Sequence, residues 1–124
     1  MSDDAALANR LASLFAAIDA KDTDAFLGFL TEAASFRFGS AAKLQGQAAI
    51  RSGVDGFFTT IAGSKHTLSN VIESDSTIVV EGNVTYTRHD GVELTLPFTN
   101  IFELEADRIG QYKIYIDIAP LFAA

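Results

Sequence analysis

The sequence predicts a single α+β domain over residues 1–124, with three N-terminal helices packed on a strongly curved antiparallel sheet. Three observations carry this. Apolar residues recur at helical spacing through most of the first half. After Gly63 the period drops to two and stays there. Short polar turns then divide the second half into four long runs, the pattern of a meander.

Taken in order, Leu7, Leu11, Leu14, Phe15 and Ile18 line one face of a first helix from Asp3 to Ala20. Asp3 and Asp4 suit the positive end of its dipole. "AKDTDAF" interrupts and restarts the helix, with Asp22 as N-cap and Phe26, Leu27, Phe29 and Leu30 as the apolar side of a second, short helix. "ASFRF" alternates and reads as a short strand. "LQGQAAIRSGVDGFFTTIAG" is a third helix starting near Gly46, and Gly53 or Gly56 is expected where something packs closely. Four strands follow: "KHTLSNVIES", "TIVVEGNVTYTRH", "VELTLPFTNIFELE" and "RIGQYKIYIDI". Turns at Asp75-Ser76, Asp90-Gly91 and Ala106-Asp107 separate them. Pro97 implies an edge position or a bulge in the third of these strands.

Composition narrows function by exclusion. With 48% hydrophobic residues and ten phenylalanines, the chain can bury a core. It has no cysteine, so disulfides and thiolate metal ligands are ruled out. A net charge of -7 opposes a phosphate backbone, so no nucleic-acid partner is expected. The acidic N-terminus lacks the pattern of a signal peptide and no stretch is long enough to span a bilayer, so a cytoplasmic protein without membrane association is expected. HExxH, a Gly-rich phosphate loop and GxSxG are all missing from the sequence, and no cofactor or metal is expected.

The order helix–helix–strand–helix–meander resembles the cystatin-like cone of the nuclear transport factor 2 (NTF2)-like superfamily, and more narrowly its SnoaL-like branch. "IDAKDTDAFLGFLTEAASFRF", "LQGQAAI", "HTLSN" and the closing "YKIYIDIAPLF" carry the resemblance, which spans nearly the whole chain. It implies a fold that serves isomerases, cyclases, dehydratases, epoxide hydrolases and non-enzymes alike. Similarity to ketosteroid isomerases would put their carboxylate base on Phe38, their tyrosine donor on Leu14 and their protonated acid on Asn100. The acid of limonene-epoxide hydrolases would fall on Ile114. Both mechanisms therefore lack their base here.

The same alignment points Tyr112, Ile114 and Ile116 inward, and Lys113, Tyr115 and Asp117 outward. Asp117 is then expected to cap the turn before Pro120, or to pair with Lys113 or Arg37. Leu94, Leu96, Phe98, Asn100, Phe102 and Leu104 share a face on which Asn100 alone is polar. Asn100 is either a satisfied core amide or a ligand contact. His66, on one face with Leu68 and Asn70, is the candidate acid/base, against a satisfied histidine at the sheet edge. On the second long strand either Asn83, Thr85 and Thr87 or Val84 and Tyr86 face inward. Leu14, Ile18, Phe26, Phe36, Phe38, Phe57 and Phe58 complete the wall of an apolar cavity, or fill it. The cavity is expected to take a small hydrophobic molecule of polyketide, steroid or terpenoid type, with His66 and Asn100 as tentative catalytic groups. Non-catalytic binding, or a dimeric interaction module, is the alternative. An outer patch of Val71, Thr99, Ile101, Tyr115 and Tyr86 is expected to form a twofold homodimer through the sheet.

Overall fold

The computed structural model describes the backbone of residues 2–123 and the side chains of residues 5–123, so the side chains of Asp3 and Asp4 lie outside the described residues. Helix α1 (Ser2–Asp19) and helix α2 (Thr23–Leu27) open the chain. Asp22 caps α2 as the sequence predicts, its carboxylate accepting from the Ala25 N–H at 3.1 Å. The helix is shorter than the apolar spacing implies. The Ile109 N–H donates to the Phe29 carbonyl at 2.8 Å, and Leu30 already lies opposite Ile109 in the sheet. Sheet pairing claims these two residues from the helix.

Strand β1 (Leu30–Phe38) is therefore longer than "ASFRF". A two-residue strand β2 (Leu44–Gln45) pairs with it, and α3 (Gln47–Thr59) follows from its N-cap Gly46. Gly53 meets the Leu44 side chain so closely that a Cβ there would clash, whereas Gly56 faces open space. The meander is β3 (Gly63–Ser74), β4 (Thr77–Thr87), β5 (Glu93–Glu105) and β6 (Arg108–Tyr115). Its turns fall where the sequence puts them, with Asp75, Gly91 and Ala106 at positive φ.

The sheet order is β2-β1-β6-β5-β4-β3. It is a mixed sheet: β1 lies parallel to β6, and the other pairs are antiparallel. Helix α1 packs on β3, and α2 and α3 pack on β1. The main core sits between them, built on Leu14, Phe26, Leu30, Ile50, Val80, Phe102 and Tyr112. Pro97 is accommodated because the β5–β6 ladder begins only at Thr99, leaving Pro97 with a strand on one side alone.

A bulge in β3 between Leu68 and Asn70 overturns two expectations. An extra residue moves every later side chain to the other face. His66 and Leu68 pair with Val84 and Gly82 on the inner face, but Asn70 pairs with Glu81 and faces out. Its amide donates to the Glu81 carboxylate at 3.2 Å. Val71 pairs with Val80 and so leaves the outer patch, where Ile72, opposite Val79, takes its place. Gly82 sits across from the bulge, where a Cβ would run into the Thr67 carbonyl, so only glycine fits this crossing. Tyr86 also leaves the outer patch: it is buried with Val84, which decides the inward face of β4.

Candidate functional site

Between the helices and the inner face of the sheet lies a hollow of about 460 Å³. Of the residues expected around it, Ile18, Phe26, Phe36, Phe38, Phe57, Phe58, Phe98, Tyr112, Ile114 and Ile116 line it, and His66 and Asn100 reach it as well. Four do not. Leu14 and Phe102 face a separate gap of about 20 Å³ shared with Leu7, Arg10 and Ile109, Leu68 packs against the core away from the wall, and Asn70 is turned out by the bulge. Leu44, Val54, Ser64 and Ile118 line the hollow without having been expected there, and Val84 and Tyr86 line it as one of the two alternatives for β4 had them.

The polar chemistry gathers around an acid that the sequence reading passed over. Asp19 ends α1 and reaches the start of β3. One carboxylate oxygen, Oδ1, lies 2.6 Å from His66 Nδ1 and accepts from the Ser64 hydroxyl at 2.8 Å. The other, Oδ2, accepts from the His66 backbone N–H at 2.9 Å. The carboxylate thus sets the ring: Nδ1 carries the proton toward Asp19, and Nε2 is left to the hollow. Phe15 and Phe98 hold the imidazole from two sides, with ring centroids 4.9 and 5.3 Å away. Burial alone would raise the Asp19 pKa. The hydrogen bonds from His66, its charge and the Ser64 hydroxyl outweigh that and hold it below the usual carboxylate value.

Serine, histidine and aspartate meet here, yet not as a hydrolytic triad. Ser64 donates to Asp19, not to His66, so the serine–histidine contact of such a triad is missing. The pair that remains is an oriented imidazole, His66 held by Asp19, on an apolar wall. Asn100, at 2% exposure, has its Oδ1 sealed and without a partner. It shares a cross-strand row with Ile114 and Phe38, so the positions of the two absent carboxylates line the hollow as apolar side chains. Burial raises the pKa of Tyr86 and of Tyr112 well above the ordinary phenol value, and the Asp19 charge adds to both shifts. Among the described residues, no cluster of three or more His, Cys, Asp or Glu side chains could hold a metal ion.

Asp117 answers to structure. It is exposed, and its carboxylate accepts from the Ala119 N–H at 3.0 Å, capping the turn into the short 3-10 helix Ala119–Phe122. No ion pair joins it to Lys113 or Arg37 among the described residues. No helix of the described residues is long and apolar enough to cross a membrane.

Solved structures of the same fold are numerous. An NTF2-like protein of unknown function from Burkholderia pseudomallei superposes with a TM-score of 0.82 at 20% identity, covering 90% of each chain. TerC, co-crystallised with polyporic acid, gives 0.79 at 17% identity over 90% of this chain and 91% of its own. An LEH-like epoxide hydrolase of M. tuberculosis gives 0.74 at 12% identity over 90% and 83%. At these identities the likeness is one of fold. No curated protein matches the chain in sequence. The sequence profile of the SnoaL-like domain matches residues 11–112, most of the chain, and the protein belongs to that family.

Proposed function

We propose that the chain binds a small, mainly apolar molecule in the hollow and that His66, held by Asp19, moves a proton on it. The observation that carries this reading is the Asp19–His66 contact of 2.6 Å on the wall of the hollow. A base fixed at one nitrogen and open at the other is suited to proton abstraction beside a carbonyl. Asn100 offers an amide N–H for the oxygen on which charge then develops. The carboxylate missing from the sheet positions is supplied by the end of α1, through histidine. A fold neighbour, TerC, was co-crystallised with polyporic acid.

Deuterium uptake from D2O at the carbon beside the carbonyl of 1-tetralone tests the reading. The wild-type protein is expected to accelerate exchange, and His66→Gln to remove about 10²–10⁴-fold of that acceleration while the fold stays intact. Retention of the ketone with no exchange, in wild type and variant alike, would instead establish binding without catalysis.

A further inference from the structure

Two tyrosines of the wall do nothing for the fold that phenylalanine could not do. The Tyr112 ring is 1% exposed and packs on Phe26, Phe36 and Phe102, with centroids 5.4, 5.2 and 4.5 Å away. Tyr86, 3% exposed, stands edge-on to Phe57 at 5.6 Å. Those contacts are made by the rings. Among the described residues neither hydroxyl has a hydrogen-bond partner, and neither is sealed off as the Asn100 oxygen is. Both residues line the hollow, on β4 and β6, and Asn100 lines it from β5 between them. Three strands side by side thus each turn one polar group toward the hollow: the two phenol hydroxyls and, since the Asn100 oxygen is sealed, its amide N–H. Buried polar groups are ordinarily paired, so the missing partners belong to whatever occupies the hollow.

We infer that Tyr86, Tyr112 and Asn100 are the oxygen-binding groups of the site, and that its ligand is a neutral aromatic or polycyclic compound with a hydroxyl or carbonyl oxygen on the ring. The phenols stay protonated, through burial and the nearby Asp19 charge, and therefore act as donors. The same Asp19 charge opposes a ligand carboxylate. The rings of Phe26, Phe57 and Phe98 supply flat apolar walls for the rest of the molecule. This deepens the proposed function only in what the hollow holds. It does not depend on proton transfer by His66.

Equilibrium binding of naphthalene, 2-naphthol and 2-naphthoate, read by calorimetry, separates the two ideas. 2-Naphthol is expected to bind about tenfold or more tighter than naphthalene, roughly 1.4 kcal/mol, and tighter than 2-naphthoate. Tyr86→Phe and Tyr112→Phe should each lower 2-naphthol affinity by about threefold to tenfold and leave naphthalene binding unchanged, with unaltered circular dichroism. Equal affinity for naphthol and naphthalene, preference for the naphthoate, or indifference to both substitutions overturns the inference while the apolar hollow stands. Failure of all three probes to bind overturns the inference and the ligand-binding reading together.

Discussion

Asp19 sits in the last turn of α1, where the helix's own partial negative charge works against a carboxylate. It is there for β3: three hydrogen bonds to Ser64 and His66 hold it. That misfit of sign was the available signal in the sequence, and periodicity hides it, because the residue adjoins Ile18 at the edge of the apolar face. His66 was singled out as an imidazole able to give or take a proton, and Asn100 as the polar residue of an apolar row; both reach the hollow. The depressed pKa of Asp19 has a consequence for stability. The folded state binds this proton less tightly than the unfolded chain, whose ordinary value is 3.8. The stabilisation is therefore complete above that value and is lost as the pH falls through the lower folded value. Asp19→Asn should cost roughly 1.5–3 kcal/mol at pH 7 in urea unfolding. At pH 2–3 the gap between variant and wild type should narrow. An equal gap at both pH values would contradict the assignment.

The element that most changed the reading is β3. Alternation through "KHTLSNVIES" places Asn70 inside and Val71 outside, and one bulge exchanges them. Residue type gives no warning of it; the requirement for glycine at position 82 is its trace on the facing strand. The outer face then carries Ile72, Val79 and Ile101 in one cross-strand row that runs on through Lys113 to Arg37, with Thr99 and Tyr115 in the next. Ile72 is 51% exposed and Tyr115 55%. We propose that a second copy covers this face in a twofold dimer, with the basic end at Lys113 and Arg37 meeting the partner's acidic side chains. Light scattering should give twice the chain mass of 13.3 kDa, reverting to the single mass in Ile72→Lys/Tyr115→Lys. A monomer in the wild type would end that proposal.

At the scale of the whole molecule, helix and strand order were legible because each element's period is local. The parallel pairing of β1 with β6 was not, since it joins residues more than seventy positions apart and leaves no local pattern. The same limit applies to the phenylalanines. Sequence supplies ten of them, and only packing decides that Phe102 fills the core while Phe36, Phe57 and Phe98 border a hollow. One arrangement decides the proposed chemistry: Asp19 binds one nitrogen of His66, and the other is free for a ligand. Nitrogen-15 spectra of the imidazole rings during titration with 2-naphthol measure it directly, with the exposed His89 as an internal control. The predicted result is a proton held on Nδ1 of His66 throughout and a ligand-dependent shift confined to Nε2. A proton on Nε2 in the free protein, or a titration that leaves the His66 ring unmoved, would contradict it.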